Sequence, residues 1–153
     1  MSQKYNLAVV GATGAVGNEI LQILEQRDFP IENLYFLSSP RSKGKKISFK
    51  ELEIIVEDLS EFDFSKSQIA LFSPGGKISA EYAPKAAKSG CVVIDNTSYF
   101  RMQNDIPLIV PEVNPQDLED FFQKENRRNI ISNPNCSTIQ MVVALKPLHD
   151  EAI

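Results

Sequence analysis

The stretch Y-N-L-A-V-V-G-A-T-G-A-V-G, residues 5–17, decides the fold. Residues 5–10 are a largely apolar run with the length of one buried strand. A turn spaced by Gly11, Gly14 and Gly17 follows at once. Behind it, Val16, Ile20, Ile23 and Leu24 recur at helical spacing over residues 15–26. Strand, tight turn and helix in that order open a βαβ unit. Glycines let the backbone approach a diphosphate closely. The free amides and dipole of a helix start then hold its negative charge. The spacing is GxxGxxG rather than GxGxxG, so the motif draws its meaning from the strand before it and the helix after it. A plainer reading also stands, in which the glycines serve only backbone geometry and close helix–sheet packing.

Outward from this unit the alternation continues. Short apolar runs predict strands at 34–37, 47–49, 52–56, 68–72, 91–94 and 129–131. Helical patterns cover 78–89, 115–123 and 137–146, the last expected to break near Pro147. Alternating strands and helices imply an α/β, Rossmann-like, doubly wound and mainly parallel sheet. The run from Ile139 to Leu148 is so apolar that a helix there needs cover on most sides. The chain therefore reads as the front part of a longer protein. Residues 1–131 form a nucleotide-binding domain, and residues 132–153 begin a second, truncated one.

Composition sets limits on function. The 153 residues carry 16 Lys+Arg against 20 Asp+Glu, a net charge of −4. That argues against a general nucleic-acid binder, which needs a basic surplus. Two cysteines and one histidine fall short of a zinc ligand set. Cys91 and Cys136 show no CxxC spacing, so no disulfide framework is implied. No apolar run reaches a membrane span. The first residues lack a basic leader pattern. A cytoplasmic location with no membrane partner is expected.

The end of the second strand bears on cofactor choice. NAD sites usually place an acid there for the ribose 2′-hydroxyl. Here the segment is Ser38-Ser39-Pro40-Arg41-Ser42, followed by Lys43, Lys45 and Lys46. A guanidinium and hydroxyls suit a 2′-phosphate, which favours NADP. The alternative is a solvated basic loop without a ligand. Ser73-Pro74-Gly75-Gly76 ends another buried strand, either lining the same cofactor or acting as a plain turn. Cys136 lies at the start of the last helix. A helix start favours a thiolate, and its amides can hold an oxyanion. A lone cysteine is more often structural, and Cys91, inside C-V-V-I, has that character.

Five stretches together resemble the aspartate-semialdehyde dehydrogenase family. They are A-V-V-G-A-T-G-A-V-G (8–17), R-S-K-G-K (41–45), V-V-I-D-N-T-S-Y-F-R (92–101), V-P-E-V-N (110–114) and P-N-C-S-T-I-Q (134–140), in family order. The resemblance implies that Gly11, Thr13, Gly14, Ala15 and Val16 lie against the NADP diphosphate. It implies that Arg41 and Ser42 take the 2′-phosphate with Ser39 nearby, and that Ser73, Gly75 and Asn96 line the cofactor cleft. Arg101 would hold phosphate or the phosphoryl group of the substrate. Cys136 would be the nucleophile, with Asn135 helping to position the reacting carbonyl. The implied reaction is reductive dephosphorylation of 4-aspartyl phosphate to aspartate 4-semialdehyde, in the biosynthesis of lysine, threonine, methionine and diaminopimelate. The family's S-A-G-G or S-A-G-S loop is Ser73-Pro74-Gly75-Gly76 here.

The family's catalytic histidine, substrate-carboxylate arginine and most of its homo-oligomer contacts belong to a second domain. His149 is 13 residues beyond Cys136, about three helical turns away, too far to act as its base. Little turnover is expected from these 153 residues alone. The nearest enzyme alternative is N-acetyl-γ-glutamyl-phosphate reductase, which shares the chemistry. A non-catalytic NADP-binding module is the alternative of a different class. A short-chain dehydrogenase needs Tyr-x-x-x-Lys, and Tyr82-Ala83-Pro84-Lys85 is one residue short.

Overall fold

The computed structural model describes residues 3–125 and 127–152. Among them the chain forms strands β1 (Tyr5–Val10), β2 (Ile31–Ser38), β3 (Lys46–Phe49), β4 (Leu52–Asp58), β5 (Ile69–Phe72), β6 (Val92–Asp95) and β7 (Ile130–Ser132). The helices are α1 (Ala15–Gln26), α2 (Gly76–Lys88), α3 (Pro115–Gln123) and α4 (Cys136–Ala152). One sheet holds the strands in the order β3-β4-β2-β1-β5-β6-β7. Every neighbouring pair is parallel except β3–β4, an antiparallel hairpin at one edge. The order grows outward in both directions from β1. The topological switch therefore lies between β1 and β5, where such sheets open a crevice at their carboxyl ends.

The period-two pleat of β1 divides the core. Leu7 and Val9 face α1, packing with Leu21, Leu24, Phe36 and Val56. Ala8 and Val10 face α2, packing with Ala83, Ala86, Phe72 and Val93. Burial on both faces is why these strands read as apolar runs without alternation. On the α1 face a second helix, α3, seats Phe121 against Ile109 and Ile131, with Val92 and Ile94 beside them.

The doubly wound sheet expected from the sequence is the one observed, with shifted boundaries. β2 begins at Ile31, because Tyr5 and Asn6 of β1 pair with Ile31 and Asn33. The polar Glu32 and Asn33 hid that extension. β4 runs on to Asp58, paired with Ser38. α2 starts at Gly76, two residues early. Cys91 precedes β6 rather than lying in it. The run 108–110 makes only a single bridge, Leu108 to Ser132. One expectation is overturned: α4 is not broken near Pro147 but continues to Ala152. A proline inside a helix costs one hydrogen bond and a clash with the carbonyl four residues before; α4 tolerates both, and a Lys146–Asp150 pair spans the turn around it. β7 spans Ile130–Ser132, one residue later than the strand expected at 129–131.

Candidate functional site

The glycine turn lies at the carboxyl end of β1, beside the switch point. Gly11 has φ +88°, a left-handed conformation that favours glycine. A Cβ there would come within 3.0 Å of the Ser73 and Pro74 backbone. The turn and the loop after β5 are thus in close contact. Gly11 donates its N–H to Leu37 O at 2.8 Å, and Gly14 donates to Gly11 O at 3.0 Å. Gly17 is the tightest position, since a Cβ would stand 2.3 Å from Gly11 O. α1 therefore starts directly against the turn. Gly14 caps it without a side chain, and the first turn contains no acid. Among the described residues, no protein acceptor takes the N–H groups of Ala15, Val16 or Gly17. Open amides at a helix start, fronted by backbone that a Cβ would obstruct, suit a diphosphate.

Two clefts flank this turn. The first, of 270 Å³, is lined by Gly11, Thr13, Gly14, Ser39 and Ser73, together with Ser38, Leu59, Pro74 and Ile78. Five residues singled out in the sequence meet there. The Thr13 and Ser38 hydroxyls are 3.0 Å apart and tie the turn to the end of β2. Ser73 N–H donates to Val10 O at 2.9 Å, and its hydroxyl donates to the same oxygen at 3.3 Å. Gly75, at φ +97°, opens α2. The second cleft, of 340 Å³, lies between α1 and the ends of β5 and β6. Val16 and Asn96 line it with Ile20, Leu71, Ile94 and Asn133. The candidate cofactor residues are thus divided across the crest of the sheet.

The basic segment is partly used up by the protein itself. Lys43 pairs with Glu61 and Lys46 with Glu53. The bond to Glu61 and its charge push the Lys43 ammonium above its ordinary range. Arg41 sits on a short 3-10 turn, Pro40–Ser42, that directly follows the cleft residue Ser39. Its side chain is exposed and, among the described residues, has no acidic partner. Ser42 is buried at 8% exposure and does not line the cleft.

The loops after β6 and β7 carry the second half of the site. Asp95 is fully buried. It accepts from Ser79 Oγ at 2.9 Å, Thr97 N–H at 3.1 Å and Thr97 Oγ1 at 2.7 Å. Its backbone oxygen accepts from Asn133 N–H at 2.8 Å. Arg101 donates through Nε to Asn133 O at 2.9 Å and through Nη2 to Asn96 O at 3.0 Å. Nη1 has no protein acceptor among the described residues. Pro134 is buried, whereas Asn135 and Cys136 are exposed. Asn135 Oδ1 accepts Thr138 N–H at 2.7 Å, so this side chain caps α4. Cys136 is a free, exposed thiol on the first residue of that helix. The amides of Cys136 and Ser137 have no protein acceptor among the described residues. Cys91 is the opposite case. It is wholly buried, 3.6 Å from Ser67 Oγ, and burial pushes its thiol up to about 11. Sequence reasoning missed Asp95, Ser79, Thr97 and Asn133. The D-x-T spacing is a local turn signal, but the partners on α2 and just after β7 are distant in sequence.

An open, mainly parallel sheet with a glycine turn at its switch point defines a Rossmann-like dinucleotide-binding domain. Residues 6–121 match the family described as semialdehyde dehydrogenase, NAD binding domain. The chain belongs to that family. It is 58% identical over 150 residues to an aspartate-semialdehyde dehydrogenase of Legionella pneumophila, covering 98% of this chain and 42% of the relative. With the enzyme of that name from Shewanella sp. (strain DB6705) it shares 55% over 150 residues, 98% of this chain and 43% of the relative. The chain thus spans less than half the length of these curated relatives. Among solved structures, aspartate semialdehyde dehydrogenase II of Vibrio cholerae, complexed with ASA, superposes with a TM-score of 0.91 at 55% identity, over 97% of this chain and 47% of that one. The Candida albicans enzyme with NADP gives 0.77 at 27% identity, over 97% and 48%. A Rex-family repressor, at 17% identity and a TM-score of 0.58, shares the fold alone. Among the described residues, no helix is long and apolar enough to cross a membrane.

Proposed function

We propose that this chain is the nucleotide-binding and nucleophile-bearing part of an aspartate-semialdehyde dehydrogenase that uses NADP. The whole enzyme converts 4-aspartyl phosphate to aspartate 4-semialdehyde and phosphate, in the biosynthesis of lysine, threonine, methionine and diaminopimelate. One observation carries the reading: an exposed free cysteine on the first turn of α4, at the same carboxyl end of the sheet as an open glycine turn.

In this reading the amides at the start of α1, with Gly11, Thr13, Gly14, Ala15 and Val16, hold the cofactor diphosphate. Arg41, with Ser39 beside it, takes the 2′-phosphate, and its exposed guanidinium, without an acidic partner among the described residues, supports that role. The burial of Ser42 makes it a support for the turn more than a direct contact. Ser73, Gly75 and Asn96 complete the lining. NADPH bound there supplies the hydride that takes a thioester to the aldehyde level. The chain's own residues prepare that thioester. The Cys136 thiolate attacks the acyl-phosphate carbonyl, a C–S bond forms, the C–O bond to phosphorus breaks and phosphate leaves. The unpaired Cys136 and Ser137 amides are donors suited to the carbonyl oxygen as it gains charge. Nη1 of Arg101 remains for a phosphoryl oxygen. Asn135 uses Oδ1 to cap α4 and keeps its amide NH₂ for the carbonyl.

The reading places the enzyme in the cytoplasm, where a free thiol stays reduced. It makes the enzyme a homo-oligomer with no nucleic-acid or membrane partner. Residues 1–131 form the nucleotide domain and residues 132–153 begin a second. The exposed Met141, Leu145 and Leu148, which call for cover, support that division. The test is phosphate-dependent reduction of NADP by the gene's full translated product with aspartate semialdehyde. Loss of this activity in Cys136→Ala, with cofactor binding retained, is expected. Full activity in that variant would overturn the assignment.

A further inference from the structure

α4 carries the candidate nucleophile, yet none of its residues is buried. Packing against the sheet therefore does little to set its direction. What does so is the turn at 133–135, and both polar backbone groups of Asn133 are held there. Its N–H donates to Asp95 O at 2.8 Å, and its C=O accepts from Arg101 Nε at 2.9 Å. Arg101 Nη2 also donates to Asn96 O at 3.0 Å. One planar guanidinium thus bridges the loop after β6 and the loop after β7. From Asn133 onward the chain is stiff: Pro134 has a fixed φ and is buried, Asn135 caps the helix, and Cys136 is its first residue.

We infer that Arg101 is a positioning residue, a brace that sets the direction of α4 and hence the placement of the Cys136 thiol. The inference deepens the proposed function, in which Cys136 is the nucleophile and Arg101 also meets phosphate. A lysine in its place keeps one charge but cannot reproduce two donors in a fixed fork. Displacing a nucleophile by about 1 Å can cost about a hundredfold in rate, so the brace bears on kcat as well as on substrate binding.

The placement test needs neither cofactor nor substrate. Nitroxide labels at Glu57→Cys on β4 and Ala144→Cys on α4, in a Cys136→Ser background, report the distance between sheet and helix by pulsed electron resonance. Arg101→Lys and Arg101→Ala are expected to broaden or shift that distribution, with the thermal midpoint of Arg101→Lys near that of the parent. An unchanged distribution in a folded Arg101→Lys overturns the brace whatever the enzyme's substrate proves to be. If Arg101→Ala fails to fold, Arg101→Lys decides alone. In the gene's full product, Arg101→Lys is expected to lower kcat by about a hundredfold, more than it raises the KM for phosphate. A rise in phosphate KM at unchanged kcat would assign the residue to phosphate alone and overturn the positioning role.

Discussion

Gly17→Ala is the sharpest perturbation of the glycine turn. On an ordinary helix such a change stabilises by about 1 kcal/mol, because alanine is the better helix former. Here the added Cβ would stand 2.3 Å from Gly11 O, 2.8 Å from Ala12 Cα and 2.9 Å from Ala12 C. All three atoms are backbone, and Ala12 is fully buried, so none can swing aside. Relief requires α1 to move by about 1 Å from the turn, and overpacking of this kind costs about 1–3 kcal/mol. An approach of 2.3 Å to backbone puts the cost at the upper end of that range, and the propensity gain offsets about 1 kcal/mol of it, which leaves a net loss of about 2 kcal/mol. Urea unfolding followed by circular dichroism measures it, with an unchanged slope expected. Gly14→Ala serves as the comparison, since its Cβ would meet Gly11 O at 3.3 Å, a contact that a few tenths of an ångström relieves. It should cost less than Gly17→Ala. A Gly17→Ala chain as stable as the parent, or more so, would refute close apposition of α1 and the turn.

The two cysteines should differ widely toward iodoacetamide. Cys91 is buried with its thiol pushed up to about 11, so about one part in a thousand is thiolate at pH 8. Labelling at Cys136 alone, at a rate that NADP alters, is expected by mass spectrometry; equal rates would contradict the site. The same burial makes stability sensitive to alkali. The unfolded thiol ionises first, so the contribution is intact below about pH 9 and falls as the pH rises toward about 11, by at most about 2–3 kcal/mol. Cys91→Ala should remove that part of the slope in pH-dependent urea melts. Asn135→Ala should destabilise α4 by about 1 kcal/mol through loss of its cap. The loss should appear as faster amide exchange at Thr138, and unchanged exchange would show that the cap contributes nothing.

The sheet was legible in the sequence because its central strands are buried on both faces. Runs such as A-V-V before Gly11 and V-V-I before Asp95 need no long-range information to be recognised. The ends of elements were less legible, for physical reasons. Ile31 and Asn33 join β2 through pairing with β1, with Glu32 unpaired between them, and their own composition does not reveal that partner. Pro147 looked like a stop, but α4 runs through it to Ala152, giving up one hydrogen bond and taking a ring clash with the carbonyl four residues before. The glycine turn, Arg41 and Cys136 could be proposed as a site from local spacing. The frame behind them could not. Asp95 finds Ser79 16 residues away, and Arg101 finds Asn133 32 residues away. Those contacts exist only once the sheet has brought the ends of β6 and β7 together.

The most direct measurement is a titration of the 153-residue chain with NADP⁺ and NAD⁺, followed by amide chemical shifts. Shifts clustered over residues 11–17 and 39–42 are expected, with NADP⁺ bound about tenfold more tightly than NAD⁺, a margin of about 1.4 kcal/mol. Arg41→Ala should abolish that preference and leave NAD⁺ affinity unaltered. Equal affinity for the two nucleotides, or shifts that leave the turn after β1 untouched, would contradict it.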